Sequence, residues 1–163
     1  MVDRTGQGGR GAPMGGDPQP APCDRPGILA LDVGEARIGM ARWEPGQPVR
    51  DEGYLRRTSL PEDLRRLAHI VAERGVGRVV IGLPLNADGT AGLQAKRSRR
   101  FARALAGTIA LPVDLLDETD TTLAATEALG LGGRPLTPRE RGLVDARSAA
   151  VLLRRYLDTG GAA

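Results

Sequence analysis

Aromatic residues are nearly missing from this chain: Trp43, Tyr54, Phe101 and Tyr156 make up 2% of its 163 residues. Proteins that hold single strands usually stack bases on several rings. A nucleic-acid partner would here be gripped by its phosphates and its duplex shape, and the core must be built from Leu, Val, Ile and Ala. Histidine is just as scarce. His69 stands alone, on the polar side of its predicted helix opposite Leu64 and Val71, which marks it as a surface residue and leaves no imidazole for a zinc site. The one cysteine, Cys23, cannot form an internal disulfide, so no oxidising compartment is needed. No apolar run approaches the roughly 18 residues of a membrane span, and residues 1–26 lack the apolar stretch of a signal peptide. The cytoplasm is the expected compartment, with no membrane partner.

What remains is ordinary for a globular protein: 40% hydrophobic and 26% charged residues, enough for one domain with a real core. The formal charge is +3 and the sequence pI is about 9.7, a mild excess that suits an acidic partner without demanding one. Residues 1–26 are crowded with Gly and Pro and bury too little apolar surface to offset their conformational entropy, which predicts a disordered tail. The folded domain is expected over residues 27–158, with a flexible end at 159–163.

Between the tails, strand and helix patterns alternate. GILALDV (27–33) is a continuous apolar run ending in an acid, and RIGMARWE (37–44) follows the short turn Gly34-Glu35-Ala36 as its hairpin partner. A third strand is placed at 48–57. A helix begins at Ser59, with Glu62 in capping-box spacing, presents Leu60, Leu64, Leu67, Ala68 and Val71, and ends at Gly75. Next come a strand at 77–84, a helix at 93–109, a strand at 111–118 and a helix at about 121–130. The last helix starts at Thr137 with Pro138 and Glu140 completing a capping box, and runs to about Leu157. A meander followed by βα units predicts an α/β fold: a mixed five-stranded sheet flanked by helices.

Three acids occupy positions that an aliphatic residue would fill more cheaply. Asp32 closes the first strand on the face of Ile28 and Ala30, where a carboxylate must be hydrogen-bonded or bind a cation. An Asx turn into Gly34 is the alternative. Glu118 closes the strand at 111–118 within the cluster Asp117-Glu118-Asp120, which could equally be a solvated strand end with Asp120 as a helix cap. Asp145 lies within about 40° of Ala149, Leu152 and Tyr156 around the last helix, with Arg147 and Arg154 on the opposite side. It faces the sheet, where it needs a buried Arg, a backbone N–H or a hard cation. An all-carboxylate set selects Mg²⁺ or Mn²⁺, ions that can activate water and steady a leaving oxygen in phosphodiester hydrolysis.

ALDVGEARIGMA (30–41), VVIGLPLNADGT (79–90) and VDARSAAVLLRRYLD (144–158) together resemble the YqgF/RuvX family, in order and spacing across residues 27–158. The resemblance implies an RNase H-like fold and a divalent-metal nuclease related to Holliday-junction resolvases, with maturation of the 5′ end of 16S ribosomal RNA or resolution of branched DNA as its task. It also implies that Asp32, Glu118 and Asp145 are the catalytic and metal-holding acids, and that Arg37 is the arginine after the D-x-G turn. Thr119 and Asp120 stand where the family has Arg and Leu, exchanging a cation for an anion beside the site. That exchange would weaken phosphate binding or rearrange metal binding, and it keeps open a weakly catalytic, RNA-binding alternative. A junction resolvase would act as a homodimer, because two symmetric strands must be cut. An actin-like kinase shares the D-x-G motif but closes two such domains around ATP, and this chain has length for one.

Two further features point to a polyanion. Lys96, Arg99, Arg100 and Arg103 share one face of the 93–109 helix, and no acid occurs between Asp88 and Asp114. Solvated faces usually mix signs, whereas a ridge of one sign repels itself unless an anion lies along it. The preceding loop, LPLNADGT, offers backbone N–H groups and Thr90 to a phosphate.

Overall fold

Along β1 (Gly27–Val33) the side chains alternate between two apolar environments, so this strand needs cover on both faces. The computed structural model, which describes residues 26–118, 125, 128–131 and 133–161, places it at the centre of a five-stranded sheet. The spatial order is β3-β2-β1-β4-β5. β1 pairs antiparallel with β2 (Arg37–Trp43), which pairs antiparallel with β3 (Arg50–Arg56). On its other side β1 runs parallel to β4 (Val76–Leu83), and β4 runs parallel to β5 (Val113–Asp117). The expected mixed sheet is therefore present.

One face is covered by α1 (Leu60–Glu73) and α2 (Leu93–Ile109), which bury Leu67, Val71, Phe101, Ala102 and Leu105 against Leu29, Leu31, Val33, Val79 and Ile81. The other is covered by α3 (Pro138–Asp158), where Ala149, Leu152, Leu153 and Tyr156 pack on Ile28, Ala30, Ala41 and Val80. Ala30 and Ala41 on the strands and Ala149 and Ala150 on the helix let α3 lie close to the sheet. None of the described helices is long and apolar enough to cross a membrane.

The caps follow the sequence with one difference. Thr137 and Glu140 form the complete reciprocal box that starts α3: Glu140 N donates to Thr137 Oγ1 at 3.2 Å, and Thr137 N donates to Glu140 Oε2 at 2.9 Å. At α1 only half of the box forms. Ser59 Oγ accepts from Glu62 N at 3.4 Å, but the Glu62 carboxylate turns outward to Arg65. Asp63 takes the inward role, accepting from Thr58 N at 3.1 Å and Arg57 Nε at 3.0 Å while only 1% exposed.

One expectation needs correction, and others fall outside the described residues. Arg147 is not on the solvent side of α3; the helix overhangs β3, so Arg147 is half-buried and pairs with Asp51 at 3.3 Å. The helix expected at about 121–130, the tail before Pro26, and Thr119 and Asp120 lie outside the described residues, apart from Ala125 and residues 128–130.

Candidate metal centre and nucleic-acid interface

Strand parity puts Asp32 on the α3 face of β1. Its neighbours in the same layer are both glycines. Gly39 stands opposite it on β2, and on β4 the pairing of Leu31 with Ile81 makes Gly82 the next residue along. Each glycine clears room for another acid. A Cβ at Gly39 would overlap the backbone carbonyl of Asp145, so its absence lets α3 descend until Asp145 sits at the sheet. A Cβ at Gly82 would overlap the carboxylate of Glu118, which follows β5 and folds over that position. Neither glycine has φ in the left-handed region. Close approach, not backbone conformation, requires them. The sequence reading missed both; a glycine interior to an otherwise apolar strand was the available signal.

The three predicted acids are thus brought into one neighbourhood from two strand ends and a helix, and their electrostatics show the crowding. Burial, and then the charge of Asp145, push the Asp32 carboxyl up to about 7. Burial, followed by the charges of Asp32 and Asp117, pushes Glu118 up to about 8. Asp145 has a cationic neighbour: Arg37 Nε donates to its Oδ2 at 2.6 Å, both side chains being about three-quarters covered. Arg37, expected to meet nucleic acid, is therefore engaged by the third acid.

The residues fit a hard divalent cation by donor chemistry. All three are carboxylates, His69 is exposed on α1, and the space over Gly82 that a methyl group would fill is lined by Glu118 oxygen. Mutual repulsion in a half-buried position is what a divalent charge relieves. As placed, no three acidic, histidine or cysteine groups among the described residues close into a ready coordination shell, and Asp145 is held by Arg37 instead.

The other predicted contacts divide. Lys96, Arg99, Arg100 and Arg103 are all exposed and line a common groove of about 310 Å³ on α2. Phe101 and Leu105 turn into the core. Thr90 is committed within its own loop: its N–H and hydroxyl both donate to Asp88 Oδ1, at 2.9 and 2.6 Å, and Asn86 Nδ2 donates to its oxygen at 2.8 Å. Asp88 thus takes the Thr90 N–H and hydroxyl that were expected to meet a phosphate.

The fold and site define a class before they define a protein. The chain resembles the RuvC structure from Thermus thermophilus at TM-score 0.50 and 12% identity, over 82% of this chain and 96% of that one. The T. thermophilus RuvC in complex with a Holliday junction substrate matches at TM-score 0.51 and 13% identity, with the same coverage. The architecture is RNase H-like. The family profile of RuvX, described as Holliday junction resolvase, matches residues 27–159, and the chain belongs to this family of nucleases. Relatives described as candidate pre-16S rRNA nucleases include one from Symbiobacterium thermophilum, 42% identical across 83% of this chain and 94% of its own length. Another, from Synechococcus sp. strain JA-3-3Ab, is 40% identical across 80% of this chain and 82% of its own.

Proposed function

We propose that this chain is a divalent-metal-dependent nuclease that trims structured RNA, with the 5′ region of precursor 16S rRNA as its substrate and the cytoplasm as its place of work. The observation that carries the reading is the gathering of Asp32, Glu118 and Asp145 around two glycines on the α3 face of the sheet. The relatives' shared description supports the choice of RNA.

Each residue has a part that its position supports. Asp32, rigid at the end of the central strand, and Glu118, folded over Gly82, are the acids that would hold the ion. Asp145 would complete the set from α3, and Arg37 orients its carboxylate. Bound there, Mg²⁺ or Mn²⁺ would supply Lewis acidity and an acidified water for attack on the phosphodiester. The exposed ridge of Lys96, Arg99, Arg100 and Arg103 supplies affinity through phosphate contacts and carries no base information.

Resolution of four-way junctions is the second reading, favoured by the family's description, and it requires a homodimer. The test is cleavage by the purified full chain, with Mg²⁺ or Mn²⁺, of precursor 16S rRNA, a four-way DNA junction and plain duplexes. Cutting of the precursor near the mature 5′ end is expected. Preferential, symmetric cutting of the junction would favour the second reading. No cutting of any substrate by folded protein would overturn both.

A further inference from the structure

Asp32 and Val33 are consecutive, so the pleat sends them to opposite faces of the sheet. The acids gather on the α3 face. On the other, beside Val33, a cavity of about 520 Å³ opens between the β1–β2 turn, the start of α1 and the first half of α2. That size falls in the range of about 300–1,000 Å³ typical of small-molecule sites.

Its wall is firmly built. Arg57 lines it, held by Asp63 at 3.0 Å and by the carbonyl of Gly34 at 2.9 Å, and its guanidinium lies over the Phe101 ring at 5.4 Å from the centroid. Phe101 itself is 3% exposed and the Arg57 side chain 26% exposed, so of the two it is chiefly Arg57 that a ligand in the cavity would meet. Guanidinium planes stack nucleobases. In a chain so poor in aromatics this wall offers one guanidinium, Arg57, for a base to meet.

The charges suit a phosphate beside that base. Arg57, Arg97 and Arg100 all line the cavity. Of the two acids there, Asp63 is buried and spent on Arg57 and Thr58 N–H. Glu35 pairs with Arg97 at the exposed rim, a contact worth little in water and readily exchanged. Arg100 forms no ion pair among the described residues, and it also lines the groove of Lys96, Arg99 and Arg103. The ridge and the cavity thus share a wall, making a continuous cationic track that ends at the carboxyl end of β1.

We propose that this cavity receives one unpaired nucleotide of the substrate strand, with its phosphate on Arg97 and Arg100 and its base against Arg57. The proposal rests on the nuclease reading for the identity of the ligand, and it narrows the substrate class. A strand with an unpaired nucleotide near the cut, as at a bulge or the border of a duplex, is preferred over a plain duplex.

The test uses the full chain in metal-free buffer, where binding is read without cleavage. The probes are an RNA duplex carrying one unpaired 2-aminopurine nucleotide and its fully paired counterpart. The unpaired probe should bind about tenfold tighter, the scale of one stacked base, with its fluorescence quenched on docking. Thr58→Glu, at an exposed position lining the cavity, should set a negative charge against the phosphate and bring the two affinities together. Arg97→Gln, a change at an exposed position on α2, should shrink the same difference. Equal affinities in the wild-type chain, or a preference that survives both variants, would overturn the proposal. So would a free nucleoside monophosphate binding as tightly as the strand. Cleavage assays keep the two readings apart: a retained preference without cleavage sinks the nuclease reading alone, and cleavage without the preference sinks the pocket alone.

Discussion

Replacing Asp32 with Asn should make the metal-free protein more stable while abolishing cleavage. The folded-state pKa of Asp32 is raised from an ordinary 3.8 to about 7. The folded chain therefore holds this proton more tightly than the unfolded one. No penalty exists below pH 3.8; it grows as pH rises toward 7 and is constant above. A shift of that size at about 1.4 kcal/mol per unit corresponds to about 4 kcal/mol, and the partial exposure of the carboxyl reduces this to about 2 kcal/mol. Asn keeps the shape and removes the charge. At pH 8 without metal the variant should melt roughly 4–8 °C above wild type, from the usual 2–4 °C per kcal/mol for a domain of about this size. Near pH 4 the two should melt together. Saturating Mg²⁺ should raise the wild type, by about 2.7 kcal/mol at a hundred times its dissociation constant, and raise the variant less. Melting followed by circular dichroism across pH 4–8, with and without Mg²⁺, reads all of this. A variant no more stable than wild type at pH 8 would refute the argument that this carboxylate is held at a cost.

Asp145→Asn should also abolish cleavage of precursor rRNA while leaving the circular dichroism spectrum unchanged; near-wild-type turnover with saturating metal would remove it from the mechanism. Gly39→Ala should destabilise the fold by about 1–3 kcal/mol, because the new methyl meets the backbone of α3 at Asp145 rather than a movable side chain, and urea titration measures the loss. Reversing Lys96, Arg100 and Arg103 to Glu should weaken RNA and DNA binding alike, and for duplex DNA flatten the slope of log affinity against log salt by roughly 0.9 per lost contact. Lost binding with an unchanged slope would show that the change acted through misfolding. A chain beginning at Arg25 should melt at the same temperature as the full chain, on the composition of the removed segment; a lower melting point would show that those residues pack.

The strands of the central layer were legible because burial on both faces leaves a continuous apolar run, as in GILALDV and VVIGL. The start of α3 was legible because a capping box is local: Thr137 and Glu140 need nothing beyond three residues of helix. β3 was harder to bound, since Gly53 at φ 78° sits where its pairing with β2 shifts register, and the alternation of side chains breaks there. The role of Asp63 was hidden for a different reason. The spacing from Ser59 marks Glu62 as the capping acid, and only the approach of Arg57 from the end of β3 makes Asp63 the buried one.

The same division runs through the site. The sequence alone determined that three carboxylates stand at two strand ends and on an inward helix face, because pleat and helical period are properties of each segment by itself. It also determined that the cationic ridge on α2 is solvent-facing, since the opposite face carries Phe101 and Leu105. Only the tertiary structure decided that those acids share one neighbourhood, that Gly39 and Gly82 make room for two of them, and that Arg37 reaches Asp145 across 108 positions of sequence. Such distances are closed by the packing of α3 on the sheet, and packing is a relation between segments that no periodicity within one of them records.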